Sequence, residues 1–596
     1  MKRTFLTFCL GLATAFGAPE ENARELRVGR AGHAFDHLGA ISEQAEAAAA
    51  SGATIIYASG LGAEGYSGLP SAPVLMNKKR RAADYIRNAH SVGIRLVIGY
   101  VCATSMVKLE TFDKEWPPQF RADFRTPPSE WRQQGRDGKP LPSWYGGDYE
   151  AACMNHPEWR AYEKFIVREE IDSGHDGIFF DNPTVHPKGC YCPYCMERFL
   201  NFLKREKVAI PDPSLEGIRR LADERKGDFL RFRSTIARDF LADMRAFARS
   251  LNREALVTCN NSLNSPGVFY SQCRDYGYNI WEMSQTEDYV VVEDMSHQPR
   301  VLANGQVMEY GPTYRLIHAI AHGKPVVAVT LAEGDYRTPP NLTRLAMAEA
   351  AANNASYVSW PTWPAKERPA MVAALRPEAD VLSQQELVLN DTRSRRDVAL
   401  FLPFRRWLET NRCVVLDLAT VLSRSNVQFE VLAEDRFDLG HLKSGKRLPV
   451  LLIESESVLT RAEKEMVKKY ERAGGTVLIV DKTPNWLAIV QQKSQASFTV
   501  EAPPTVRAVV RDQPKRTIVH LLNLNIERLS STEDKIHPAE NVRVLCRVPF
   551  GRVRSVWAVT ADEGGLEFSA KAAGKETLVE VTLPRLEVAT MLVIEP

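Results

Sequence analysis

Residues 175–195 read His-Asp-Gly-Ile-Phe-Phe-Asp-Asn-Pro-Thr-Val-His-Pro-Lys-Gly-Cys-Tyr-Cys-Pro-Tyr-Cys. The apolar run Gly177 to Phe180 has the length of a buried strand, and it ends on Asp181 followed by Asn182-Pro183, which do not start a helix. A carboxylate at a strand's C-terminal end with no helix to cap is free for chemistry. Working outward, β-like runs recur at 26–34, 54–59, 95–101, 177–182, 255–260, 289–294, 325–331 and 357–360. Helix-period segments separate them at 42–50, 82–92, 159–172, 229–251, 314–322 and 342–353. Eight βα units over roughly 350 residues predict an α/β chain whose first part is a (β/α)8 TIM barrel with long loops. An open doubly wound sheet is the alternative, and it usually stops at fewer strands.

The rest of the chain changes pattern twice. After a polar stretch at 390–396, apolar runs at 397–401, 428–432, 450–453 and 476–480 alternate with helical segments, which predicts a small α/β domain with a parallel sheet. From about residue 496 the helical period is lost, and alternating runs at 517–522, 542–548, 555–559, 578–582 and 590–594 predict an antiparallel β-sandwich. The expected division is 1–17 as a signal peptide, 18–390 as the barrel, 391–495 as the α/β domain and 496–596 as the sandwich. Lys2-Arg3, the apolar run 4–15 and the small residues Ala15 and Gly17 carry the first of these, which implies export to a periplasmic or extracellular space. No later stretch has the roughly 18 apolar residues of a membrane span. The chain has 76 Lys+Arg against 74 Asp+Glu, and loss of Lys2 and Arg3 would balance them, which argues against nucleic acid as a partner.

In a barrel the reacting groups come from the C-terminal ends of strands. Four carboxylates qualify: Asp181, Glu293, Asp294 and Glu333. Two carboxylates facing each other across a barrel mouth suit cleavage of a glycosidic bond, one as acid on the leaving oxygen and one as nucleophile or base. Glu293 follows the run Val290-Val291-Val292, where partial burial suits a proton-donating acid. Aromatics at or beyond strand ends, Tyr57, Tyr100, Trp144, Tyr145, Trp281, Trp360 and Trp363, could stack on sugar rings or pack loops. His33, Asn182, Asn260 and Asn261 are the candidate hydrogen-bonding groups. Cys190, Cys192 and Cys195 form a CxCxxC cluster; three thiolates with a fourth ligand, Cys153 or His186, suit a closed, structural zinc site. Disulfides are the rival reading in an exported chain. No organic cofactor is expected.

The block from Asp176 to Asp181 followed by Cys190 to Phe199 resembles barrel glycoside hydrolases that carry a β-galactosidase trimerisation domain. Gly52-Ala53-Thr54, Gly93 to Val97 and Cys153-Met154-Asn155-His156 add likeness to the group called hypothetical glycosyl hydrolase 6, and the chain is also similar to family 42 β-galactosidases. The resemblance implies zinc on Cys153, Cys190, Cys192 and Cys195, a glutamine-amidotransferase-like trimerisation domain in the middle of the chain, and a trimer. It implies a glycoside hydrolase, galactoside- or fucoside-type and retaining, with a carbohydrate substrate; the N-terminal segment makes it a secreted one. Family 42 enzymes place Asn-Glu at the end of strand four; this chain has Asp181-Asn182 there. Two pairings stay open: Asp181 as acid/base with Glu333 as nucleophile, or Asp181 as nucleophile with Glu293 as acid/base. A catalytically inactive, carbohydrate-binding barrel is the alternative function.

Overall fold

A computed structural model describes residues 33–36, 42–62, 72–107, 109, 112, 114, 116–143, 149–261, 269–294, 298–330, 338–359, 365–384, 392–410, 414–443 and 448–596. Eight strands make one parallel sheet: β1 (His33–Asp36), β2 (Ile55–Gly62), β3 (Leu96–Cys102), β4 (Gly177–Asp181), β5 (Leu256–Cys259), β6 (Val290–Asp294), β7 (Val326–Thr330) and β8 (Ala355–Ser359). Their order is β5-β4-β3-β2-β1-β8-β7-β6, and a parallel bridge between Asn260 and Val291 joins the two ends into a barrel. The second to eighth expected strands are present, β2 running three residues past its expected end; of the first, expected at 26–34, residues 26–32 lie outside the described residues and β1 starts at His33.

Around the barrel lie α1 (Ser42–Ala50), α2 (Ala72–Ser91), α3 (Pro157–Asp172), α4 (Pro193–Arg205), α5 (Leu215–Glu224), α6 (Lys226–Leu251), α7 (Phe269–Tyr276), α8 (Ile280–Met283), α9 (Gly311–Ile320), α10 (Pro340–Ala352) and α11 (Arg368–Gln384). The two-residue period of a strand sorts β4 cleanly. Phe179 points into the barrel against Tyr57, edge to face at 5.7 Å, while Phe180 points out against Phe240 of α6 at 5.5 Å. Gly177 opens the strand because a Cβ there would lie 2.5 Å from the Leu256 carbonyl of β5. Helices α4, α5, α7, α8 and α11 are absent from the sequence expectation; α11 carries Pro377 in its interior, a residue that ordinarily breaks the helical reading.

Beyond the barrel, β9 (Val398–Leu402), β10 (Phe429–Ala433), β11 (Val450–Ile453) and β12 (Thr476–Ile479) form a parallel sheet ordered β10-β9-β11-β12. The C-terminal part is β-rich, with a five-stranded antiparallel sheet, whose edge strand Arg393–Ser394 comes from before the parallel sheet, and a four-stranded one packed on a shared apolar core that includes Val519, Leu521, Val544 and Val581. One buried carboxylate ties the three parts together. Glu309, just before α9, accepts Arg507 Nε at 2.9 Å from the C-terminal sheet, and Ser423 Oγ at 2.7 Å and Arg424 Nε at 3.1 Å from the parallel-sheet part.

Arg507→Ala would leave Glu309 buried with its strongest partner gone. Breaking such a pair costs about 3 kcal/mol or more, so thermal unfolding followed by calorimetry is expected to begin at clearly lower temperature in the variant.

Candidate active site

The alternation that buries Phe179 inside the barrel brings Asp181 to the same face at the C-terminal mouth, where it is 7 % exposed. Tyr100 from β3 donates its hydroxyl hydrogen to Asp181 Oδ2, and Asn182 Nδ2 donates to the same oxygen at 2.7 Å. The other oxygen, Oδ1, accepts from Asn260 Nδ2 at 2.8 Å, and that nitrogen also donates to Glu293 Oε1 at 2.7 Å. A primary amide nitrogen carries two hydrogens, so it can serve both carboxylates at once. With one nitrogen in reach of both, the Asp181 and Glu293 oxygens lie within about 5.5 Å of each other.

The loop after Asp181 is fixed from several sides. Asn182 has a φ of 49°, a left-handed conformation that asparagine tolerates better than most residues. Its carbonyl accepts from the Thr104 hydroxyl, and its Oδ1 accepts from Tyr278 OH at 3.0 Å. Thr184 Oγ1 donates to Tyr278 OH at 3.1 Å, and Gln133 Nε2 donates to the Thr184 carbonyl at 2.9 Å while its Oε1 accepts from His186 N at 2.8 Å. Thr104, Gln133 and Tyr278 carry no sequence signal of this role.

The same loop runs into the cysteine cluster. Cys153, Cys190, Cys192 and Cys195 are all buried, with their sulfurs within 4.8 Å of one another. Cys153 Sγ is 3.8, 3.6 and 3.5 Å from those of Cys190, Cys192 and Cys195. A tetrahedron with ~2.3 Å Zn–S bonds has edges of ~3.8 Å, whereas a disulfide needs ~2.05 Å. The four are free thiols spaced for a metal, which sets the disulfide reading aside. His186 instead accepts from Lys188 N at 3.1 Å and is not part of the group. The spacing follows from local structure: Cys192 caps α4, Pro193 starts it, and Cys195 N donates to Cys192 Sγ at 3.4 Å. Asn155 Nδ2 and Gln134 N donate to Cys195 and Cys190 at 3.3 and 3.4 Å, contacts that suit thiolates. The donor set fits a structural zinc with no open position.

Other expectations resolve differently. Tyr57 is fully buried in the barrel interior beneath the mouth, against Phe179 and Tyr289, and so forms floor rather than a sugar platform. Trp281 sits on α8, packed on His322 at 4.6 Å and under Arg405 at 4.7 Å, away from the strand ends. Asn261 is fully buried and faces out of the mouth's reach, donating to the Val291 carbonyl at 3.0 Å and Glu287 Oε2 at 3.4 Å. Glu333, Trp144, Tyr145, Trp360 and Trp363 lie outside the described residues, as do the side chains of His33 and Asp294.

An eight-stranded parallel barrel with two carboxylates at its C-terminal mouth, followed by a parallel sheet and a β-rich end, is a TIM-barrel architecture with further α/β and β-rich parts. No family model and no curated protein matches the chain. Solved structures do. Over 95% of this chain and 99% of the other, the fold is similar to that of α-L-fucosidase isoenzyme 2 from Paenibacillus thiaminolyticus, at 14% identity and TM-score 0.61. The β-galactosidase from Bacillus circulans sp. alkalophilus is similar over 95% of this chain and 99% of its own, at 12% identity and TM-score 0.59. A catalytic mutant of Gan42B, a GH42 β-galactosidase from G. stearothermophilus, is similar over 91% and 96%, at 10% identity and TM-score 0.59. The chain thus has a GH42-like β-galactosidase fold. Among the described residues no helix is long and apolar enough to cross a membrane.

Elemental analysis is expected to return about one zinc per chain, and Cys195→Ser to lose it, with faster amide exchange across residues 182–191. Burial raises the Glu287 carboxyl from 4.5 to about 8. Between those values the folded chain holds a proton that the unfolded chain has released, so this group's contribution to stability falls as pH rises from about 4.5 to about 8. Glu287→Gln is expected to remove that slope and to gain roughly 3 kcal/mol at pH 7, measured by denaturant unfolding at pH 5 and pH 7.

Proposed function

We propose that this chain is a retaining glycoside hydrolase in which Asp181 is the nucleophile and Glu293 the acid/base. The observation that carries the reading is the Asn260 amide donating to both carboxylates, which keeps one oxygen of each within about 5.5 Å of the other; so close an approach favours a retaining pair, because inverting enzymes hold their carboxyl groups ~6.5–9.5 Å apart to admit a water. In the first step an Asp181 oxygen attacks the anomeric carbon. The bond to the leaving oxygen breaks, and that oxygen takes the proton from Glu293. In the second step Glu293, now a carboxylate, removes a proton from water. The water oxygen attacks the same carbon and the ester to Asp181 breaks, restoring both groups.

The rest of the site orients this pair. Tyr100 and Asn182 fix the plane of the Asp181 carboxylate, and Asn260 holds the distance to Glu293 through both steps. Cys153, Cys190, Cys192 and Cys195 would hold a zinc that braces the loop carrying Asn182; with four protein ligands it takes no part in the reaction. The substrate is a galactoside- or fucoside-type glycan, a choice favoured by the α-L-fucosidase and β-galactosidases whose folds this chain shares. Residues 1–17 direct export, and the middle α/β part mediates a trimer.

Assay of a panel of aryl α- and β-glycosides is expected to find a substrate. Asp181→Asn should lower its kcat by about 10³-fold and Glu293→Gln by about 10²- to 10⁴-fold. Full activity in Glu293→Gln would refute the pairing and turn attention to Glu333. Glycan binding without turnover of any bound glycan would mark an inactive barrel instead. Light scattering on the purified protein is expected to give three times the chain mass, and a monomer mass would remove the trimer.

A further inference from the structure

A second concavity lies on the C-terminal face of the barrel, outside the wall formed by the loop after β4. It is a cleft of about 370 Å³ between loop residues 187–191, the start of α6, and residues 274–275 of α7. The volume is within the ~300–1,000 Å³ typical of ligand pockets. The loop that begins at Asn182, whose amide donates to Asp181, continues into the cleft wall at 187–191. Its two sides are pinned by Val185 N donating to the Tyr276 carbonyl at 3.0 Å and Tyr278 OH donating to Asn182 at 3.0 Å.

The lining is unbalanced in charge. Arg136, Lys188, Lys226, Arg233 and Arg274 face two acids, Asp223 and Asp275. Asp223 is already engaged by Arg136 Nε at 2.7 Å, and Arg136 also pairs with Glu216 at 2.6 Å. Arg233 is buried as the back wall and gives its hydrogens to the carbonyls of His186 at 3.0 Å and Asp275 at 2.8 Å. Lys188, Lys226 and Arg274 form no ion pair among the described residues. Tyr191, half-buried, rests on the buried Phe229 with ring centroids 4.9 Å apart and gives the cleft an apolar edge.

The neighbouring cysteine cluster accounts for only part of this charge. A zinc with four thiolates carries a net charge of −2, and buried Arg233 offsets some of it. Lys188 and Lys226 are exposed, so solvent and salt screen them from the buried sulfurs. We propose that this cleft is a subsite for an anionic substituent, a sulfate ester or a carboxylate, on a glycan whose chain extends over the barrel mouth. The inference rests on the glycan reading of the mouth and narrows the substrate to an acidic polysaccharide.

Calorimetry on the Asp181→Asn protein separates this from catalysis, because binding is read without turnover. The probes are a κ-carrageenan tetrasaccharide, a galacturonate tetrasaccharide and a neutral galactan tetrasaccharide. One acidic probe is expected to bind about tenfold tighter than the neutral one at low salt, which also tells sulfate from carboxylate, and added salt should erode the preference. Adding Lys226→Ala and Arg274→Ala should bring the ratio close to one, with zinc content and melting temperature confirming the fold. Equal affinities, no binding of either acidic probe, or a preference that survives both substitutions would overturn the subsite. If the unsubstituted protein turns over no glycan yet the acidic preference stands, the hydrolase reading fails and the subsite does not.

Discussion

A sheet of eight parallel strands becomes a barrel only where its two ends meet, and here they meet along the short seam between β5 and β6. The seam carries Asp288 N donating to the Val257 carbonyl at 2.7 Å, Thr258 Oγ1 donating to the Tyr289 carbonyl and, in the two residues past β5, Asn260 and Asn261. Asn260 forms the bridge to Val291, and Asn261 sends both its backbone N–H and its side-chain amide to the Val291 carbonyl. Successive residues of an extended chain face opposite ways, so the two asparagines divide the work. Asn261 turns outward to lock the strands, and Asn260 turns inward to span Asp181 and Glu293. The distance between the two carboxylates is therefore set by the closure of the barrel itself. A wider seam would pull them apart and admit a water, which is the geometry of the opposite stereochemical outcome.

The second determinant is the loop after β4. A left-handed Asn182 turns the chain after β4, and hydrogen bonds from Thr104, Gln133 and Tyr278 hold the loop. The loop ends in three of the four clustered cysteines, and the fourth, Cys153, comes from the segment before α3. A metal bound to this set would brace a long loop that has little secondary structure of its own before α4. The cluster and the carboxylates are thus linked mechanically, although only the carboxylates have the reach to meet a substrate.

Much of this was legible in the sequence, and the exceptions have physical causes. Gly177 to Asp181 reads as a buried strand ending in an inward acid because period-two alternation and the missing helix start agree. The cysteine spacing reads as a metal site because i and i+3 at a helix start share a side. Which face a strand-end residue takes is harder to read: Asn260 and Asn261 look alike, and one residue of register exchanges their roles. Tyr57 is on the inward face but lies well before the end of β2, which runs to Gly62, so it is covered. Tyr278 reaches Asn182 across 96 residues, and no local pattern encodes such a contact.

The central claim is that Asp181 forms a bond to the sugar while Asn260 holds Glu293 beside it. The most direct measurement is mass spectrometry of the protein after reaction with an activated 2-deoxy-2-fluoro or 5-fluoro glycosyl fluoride of the sugar it cleaves. Such a compound forms the glycosyl-enzyme and leaves it slowly. The account predicts one added sugar per chain, on the peptide that contains Asp181. A label on any other carboxylate, or hydrolysis with inversion and no label, would contradict it.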